Sequence, residues 1–445
     1  MKQLYITKVQ IEKVRHLRDI CIPLSKDKMK HLILTGRNGS GKTSVLEALA
    51  DNLQKLEIES DDDVYQDSYK PDFLSEYLEL ENESQSQKKD ISKEKTEKAQ
   101  KRIFAYIEAM KVIGKKENWQ TVLQAIQNVE KASDMEVRVQ FNCEEKFWEE
   151  EFGQNKLLFA YYKAERVFQP EIPKHVEKVE LREVYSIEEM PKTEFVKYLL
   201  DLKMTEALAV AKKDKEKVDR IQQWFQKLEN LLKEIFEDTE LKLIFDEEKF
   251  QFYIQETGHE TFDFSTLSSG YSAVMDIIAD MMIRMEKITD KSFRFMLPGI
   301  VLIDEIETHL HLELQKKILR ILTELFPNIQ FIVSTHSPFV LNSLENAVIY
   351  DLENHTLVEN GLANVPYDGI VEGYFRADVL SQVLKEKYVR YKELVKKKKL
   401  SDEDFEEVAR LEMFLDEIPD YLALGITTEY QRLKLEFQSR ENLEW

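Results

Sequence analysis

Cysteine is nearly absent: Cys21 and Cys143 are the only two in 445 residues, too few for a disulfide scaffold. No apolar run approaches the length of a membrane span, and Met1-Lys2-Gln3-Leu4 lacks the pattern of a signal peptide. Positive charge is in deficit. Lys and Arg total 63 against 84 Asp and Glu, a formal net charge of −21. The surface as a whole therefore repels nucleic acid, and contact with DNA or RNA would have to come from a local basic patch or a partner protein. These absences predict a cytoplasmic protein with no membrane partner, long enough for more than one domain.

Against this background one run stands out, Gly36-Arg37-Asn38-Gly39-Ser40-Gly41-Lys42-Thr43. It fits the phosphate-loop pattern G-x-x-x-x-G-K-[ST] at every constrained position. The apolar His31-Leu32-Ile33-Leu34-Thr35 before it predicts a buried strand, and Ser44 to Ala50 after it predicts a helix. Glycines let successive backbone N–H groups point at phosphate oxygens, and the helix N-terminus adds its positive end. Lys42 is placed to reach the β and γ phosphates of a nucleotide, and the Thr43 hydroxyl to ligate Mg²⁺.

Three later segments supply what such a loop needs. Gly299 to Ile303 reads as an apolar strand ending in Asp304 and Glu305. A strand that ends in two acids is commonplace alone. Beside a phosphate loop, Asp304 is placed to hold Mg²⁺ or its water shell, and Glu305 to orient or deprotonate an attacking water. Gln330 to Thr335 reads as another buried strand, ending at His336, which is placed to touch the γ phosphate. Leu267-Ser268-Ser269-Gly270-Tyr271 precedes an amphipathic helix expected from Ser272 to about Lys287, with Val274, Ile277, Ile278, Met281 and Met282 on its apolar side. Ser-Ser-Gly there reads either as a plain N-cap or as hydroxyls and free N–H groups aimed at an anion.

The set GRNGSGKT, LSSGY, VLIDE-IETHLH and STHSP resembles the ABC-type ATPases of the SMC, RecF and OLD lineage. Leu4 to Ile11 followed by Leu17 to Ile20 looks like the N-terminal hairpin of those heads. Glu307-Thr308-His309-Leu310-His311 is similar to the E-x-H-L-H segment of OLD-like and bacterial defence ATPases. The likeness extends to the stand-alone ATPases of Septu-like, PARIS-like and retron-linked anti-phage systems. It implies an α/β fold: an ABC-type P-loop ATPase head, a mixed β-sheet with flanking helices, carrying helical insertions and a helical C-terminal region.

The resemblance also implies roles. Residues Gly36 to Ser44 would bind ATP, with Asn38 and Lys42 on the terminal phosphate and Thr43 and Asp304 on the metal. Glu305 would be the catalytic base and His336 the switch histidine. Ser268, Ser269 and Gly270 would bind the γ phosphate of nucleotide held by a second subunit, giving a homodimer or higher homo-oligomer. Ser269 stands where transporter ATPases carry Gly, and Tyr271 where they carry Gln. No glutamine occupies an obvious sensor position. The segment Leu157 to Arg166 fills that region, so the sensor falls to Arg166 or Gln169. His309 and His311 are expected to shape the subunit contact rather than bind metal.

The predicted head comes in pieces: residues 1–55, 136–185 and 239–365, separated by a helical and low-complexity insertion at 56–135 and a helical block at 186–238, and followed by a C-terminal helical region at 366–445. The insertion carries a polar run from Asn82 to Gln100 and an expected helix from Ile103 to about Lys131, without sustained heptads. Trp224, Phe225, Leu228, Leu231 and Leu232 recur at helical spacing and predict a packing stripe. Lys396 to Lys399 reads as a solvated helix end, with a nucleic-acid patch as the lesser reading. No TOPRIM pattern and no HNH cluster is found. Two functions remain open: an ATPase controlling a separately encoded effector, such as a nuclease, in a defence system, or a RecF-like repair ATPase acting directly on DNA.

Overall fold

The computed structural model describes residues 3–58, 136–143, 157–173, 177–187, 189–289, 293–371, 382–397, 399–416 and 424–439. Most of the expected insertion, including the polar run and the helix from Ile103, lies outside them. The chain forms two compact units, Met1–Asn364 and Val365–Trp445.

The first unit is organised around a six-stranded sheet of order β12-β11-β3-β10-β9-β5. Its strands are β3 (His31–Thr35), β5 (Leu158–Tyr162), β9 (Gly299–Ile303), β10 (Ile329–Ser334), β11 (Ala347–Asp351) and β12 (Thr356–Val358). All pairings are parallel except β11 with β12. Every residue of β3, β5, β9, β10 and β11 is buried, which is why they read as unbroken apolar runs rather than alternating ones. Parallel pairing sends the carboxyl ends of five strands to one edge, the edge where ligands bind in open α/β sheets.

A second sheet, of order β2-β1-β4, is built from β1 (Ile6–Val14), β2 (Leu17–Pro23) and β4 (Glu136–Phe141), all antiparallel. Its inner residues, among them Val9, Ile11 and Ile20, join a continuous core with Leu32, Leu34, Ile300 and Ile332 of the large sheet and with Val45, Leu46 and Leu49 of helix α1 (Lys42–Ile58). A third sheet is β6-β7-β8: β6 (Lys242–Asp246), β7 (Gln251–Gln255) and β8 (Phe262–Asp263).

Helices α2 (Phe195–Ala211) and α3 (Lys215–Phe236) form the block between the head segments. Asp214 caps α3 by accepting the N–H of Lys217 at 3.2 Å, and the helix buries Trp224, Phe225, Leu228, Leu231 and Leu232, a packing stripe. Helix α4 spans Ser269–Thr289. It begins three residues earlier than the sequence predicted, because Ser269 and Gly270 already lie in its first turn and Ser272 N–H bonds to Ser268 O at 2.8 Å. It is also not amphipathic in place. Ala273, Met275, Ala279 and Ile283 are buried as well as the predicted apolar side, and so are Asp276, Asp280, Arg284 and Glu286. Those polar groups are tolerated because each has a partner. Asp280 accepts from Tyr162 and from Arg284 at 2.7 Å each, Asp276 pairs with Lys192, and Glu286 accepts from Tyr198 and Trp224. Helix α5 (Leu312–Leu325) follows the acidic end of β9, capped by His311.

The second unit contains α6 (Gln382–Lys396), α7 (Asp402–Asp416) and α8 (Leu424–Gln438). Tyr391, Leu394, Val408, Leu411, Leu415, Tyr430, Leu433 and Phe437 form its core. The basic run begins at the last residue of α6, and Lys397 pairs with Asp404 at 2.8 Å.

Candidate nucleotide site

The phosphate loop leaves the carboxyl end of β3 and enters α1 at Lys42. Gly36 and Gly41 have φ of +131° and +99°, conformations that residues with side chains avoid. A Cβ at Gly36 would also lie 2.8 Å from Ser40 Oγ. Arg37, Asn38, Gly39 and Thr43 are exposed, while Ser40, Lys42 and Ser44 are buried. Lys42 folds back across the loop, donating to Gly36 O at 2.9 Å and Arg37 O at 3.2 Å. Burial lowers the pKa of its ammonium, opposed by the carboxylates of Glu305, Asp304, Glu307 and Asp351. Among the described residues the buried Oγ of Ser40 has no partner, a donor and acceptor free for a ligand. Beside the loop, His16, Leu17, Arg18, Leu352 and His355 line a cleft of about 540 Å³.

The acidic turn starts where β9 ends. Asp304 N–H donates to Tyr162 O at 2.8 Å on the neighbouring β5. On the other side Ser334, the last residue of β10, donates its hydroxyl to Asp304 Oδ1 at 2.5 Å and accepts Glu305 N–H at 2.7 Å. The Ser334 carbonyl accepts Ile306 N–H at 3.1 Å. Glu305 itself has φ +43°, a left-handed conformation that costs a non-glycine residue about 1–2 kcal/mol. Thr308 Oγ1 donates to Glu305 Oε2 at 3.2 Å, so the carboxylate is oriented as well as the backbone.

His336 is half-buried just beyond β10. Its N–H donates to Glu307 Oε1. Its Nε2 and Glu307 Oε2 are both buried and unpartnered among the described residues. Burial, and then the positive charge of Lys42, lower the imidazole pKa below its ordinary 6.5, which keeps the ring neutral at neutral pH. Sequence reasoning gave no role to Glu307 or Ser334. The first lies inside the E-x-H-L-H segment and the second inside STHSP, but their bonds span 29 and 30 residues.

Arg166 and Gln169 lie apart from each other in kind. Gln169 is exposed. Arg166 is 3% exposed, and its Nη atoms donate to the carbonyls of Lys163, Asp304, Glu305 and Ile306. Three of those four carbonyls belong to the acidic turn. Ser268 and Ser269 are exposed at the start of α4. Among the described residues no hydrogen bond joins them to residues 36–44. Their neighbour is the acidic turn: a Cβ at Gly270 would lie 2.9 Å from His309 O, so only glycine permits that approach. Tyr271 stacks on Phe236 at 3.9 Å and meets His311 edge-on at 6.0 Å. No group of three or more His, Cys, Asp or Glu among the described residues is arranged to hold a metal ion. No described helix is long and apolar enough to cross a membrane.

A phosphate loop, an acid-ended strand and a histidine-ended strand meeting at the carboxyl edge of one mixed sheet define a P-loop ATPase head. The chain belongs to the AAA ATPase domain family, whose model matches residues 4–341, and it is an ATPase. It is similar to the Retron Ec83 probable ATPase of Escherichia coli, 34% identical over 145 residues, which are 31% of this chain and 26% of that protein. It is similar also to the Retron Vc95 probable ATPase of Vibrio cholerae serotype O1 biovar El Tor, 44% identical over 19% of this chain and 16% of that one. The Septu protein PtuA of Bacillus mycoides (strain KBAB4) is 40% identical over 20% of this chain and 12% of its own. The matched stretches thus span about a quarter or less of these relatives. Among solved structures, the SMC head domain from Thermotoga maritima aligns over 78% of this chain and 94% of its own, with 12% identity and a TM-score of 0.32.

Proposed function

We propose that ATP binds along residues Gly36 to Ser44 with Mg²⁺, and that its hydrolysis controls a separately encoded effector, a nuclease, in a cytoplasmic anti-phage defence system. The observation that carries the catalytic part is the convergence of Lys42, Asp304, Glu305, Glu307 and His336 at one sheet edge, close enough for Lys42 to feel three of those carboxylates. The Thr43 hydroxyl and the Asp304 carboxylate are hard oxygen donors of the kind Mg²⁺ takes, sparsely, alongside phosphate oxygens and waters. The metal would screen the charge of the transferring phosphoryl group. Glu305 acts as the base on the attacking water, and His336, a neutral ring with an unpartnered Nε2, contacts the γ phosphate. The cleft lined by His16, Arg18 and His355 is room for the base and ribose.

Ser268, Ser269 and Gly270 bind the γ phosphate held by a second copy. The exposure of Ser268 and Ser269, and the close approach of Gly270 to the acidic turn, support that reading. The names of the similar retron and Septu proteins support the defence assignment, and the net charge of −21 supports a protein partner over DNA as the thing controlled. Light scattering of Glu305→Gln with and without ATP tests the assembly: ATP should raise the mass, and Ser269→Arg should abolish the rise. Absence of any oligomer would contradict it. Tight duplex binding by the protein alone at about 150 mM salt, where screening lengths are about 8 Å, would contradict the effector reading.

A further inference from the structure

We propose that Arg166 is a positioning residue for the hydrolytic step, holding the acidic turn in the bend that presents Glu305. The proposal rests on Glu305 being the base. Arg166 lies four residues beyond the end of β5, in a stretch without regular structure, yet it is 3% exposed. Nη1 donates to Asp304 O at 2.6 Å and to Lys163 O at 2.9 Å. Nη2 donates to Glu305 O at 2.9 Å and to Ile306 O at 3.3 Å. One planar group therefore grips three consecutive carbonyls of the turn and ties them to the strand that neighbours β9.

The turn needs such a grip. Glu305 sits at φ +43°, and its carbonyl would otherwise have one donor, Thr308 N–H at 2.9 Å. A left-handed residue persists only where its surroundings over-determine it. Ser334 fixes the N–H side of Glu305, and Arg166 fixes the carbonyl side. The planar fork of a guanidinium can span several acceptors, whereas the ammonium of Lys is a point charge. With both Nη atoms engaged by the turn, Arg166 acts through Glu305, not on the nucleotide.

The test uses the full chain with Arg166→Lys and Arg166→Met, each alone and on the Glu305→Gln background. Readouts are kcat, KM, direct affinities for ATP and ADP, and the melting temperature. Misplacing a catalytic group by about 1 Å costs on the order of 10²-fold, so kcat should fall about 10- to 100-fold in both variants. Affinities for ATP and ADP should change together and by less than about threefold. On the Glu305→Gln background neither variant should slow turnover further, because residues acting as a unit are non-additive.

Near-normal kcat in both variants beside an inactive Glu305→Gln would overturn the brace and leave the base assignment standing. Wild-type turnover by Glu305→Gln alone would overturn the base and the brace with it. Loss of ATP affinity with ADP affinity kept would make Arg166 a phosphate sensor instead. Unfolding of both variants would assign it to the core alone and also overturn the proposal.

Discussion

In the phosphate loop, Arg37, Asn38, Gly39 and Thr43 are exposed, Ser40 Oγ has no partner among the described residues, and Lys42 lies back on the carbonyls of its own loop. In the acidic turn, the N–H groups of Asp304, Glu305 and Ile306 are all taken, and one guanidinium holds their three carbonyls. Both loops sit at the carboxyl edge of the same sheet, yet the residues of one stand largely exposed and the polar backbone of the other is engaged by the protein. A loop of donors must open to an anion, while a base must be fixed before its substrate arrives, since preorganisation is what removes the cost of reorganising during the reaction.

That contrast can be broken from either side. Lys42→Ala should have the largest effect on the ligand-facing loop. A charge-assisted bond contributes about 1.5–3 kcal/mol, so ATP affinity measured by titration calorimetry should fall about 10- to 100-fold with the melting temperature of the free protein little changed. On the braced side the expectation reverses. Ser334→Ala removes the acceptor of Glu305 N–H and the donor to Asp304, and leaving buried groups unsatisfied costs about 1–3 kcal/mol of stability, readable by denaturant unfolding without nucleotide.

A residue remote from both loops sharpens the comparison. His31, at the other end of β3, is buried, accepts Phe331 N–H at 3.1 Å on Nδ1, and burial lowers its pKa to about 4. Its folded pKa is below the unfolded value near 6.5, so below pH 6.5 the unfolded chain binds the proton first. The contribution is therefore complete above about 6.5 and is lost as pH falls toward 4, up to about 2 kcal/mol by pH 5. His31→Gln should flatten stability over that window relative to the parent, and an unchanged difference between the two at pH 7 and pH 5 would refute the buried neutral ring. Smallest of all, Asn38→Ala in the exposed loop should alter stability of the free protein by no more than about 0.5 kcal/mol, against the larger loss in Ser334→Ala.

What the sequence reveals follows the same divide. The phosphate loop is legible because its chemistry is local: glycines for unusual φ, a lysine and a hydroxyl at fixed offsets. Asp304 and His336 are legible because each follows a fully buried apolar strand. Sequence left the turn partners of Arg166 invisible, since those three are carbonyls 138 to 140 residues away that any residue could supply. It also placed a polar side on α4, because Asp276, Asp280, Arg284 and Glu286 look solvated until their buried partners on other elements are known. The strand order β12-β11-β3-β10-β9-β5 is likewise a property of long-range pairing.

The central claim is that a braced Glu305 is the base acting on ATP held by the open loop. A single-turnover experiment tests it most directly: radiolabelled ATP is pre-bound to wild type and to Glu305→Gln, Mg²⁺ is added, and bound ATP and ADP are quantified over time. The account predicts that Glu305→Gln holds ATP with near wild-type affinity while converting it about 10²- to 10⁴-fold more slowly. Conversion at the wild-type rate would contradict it.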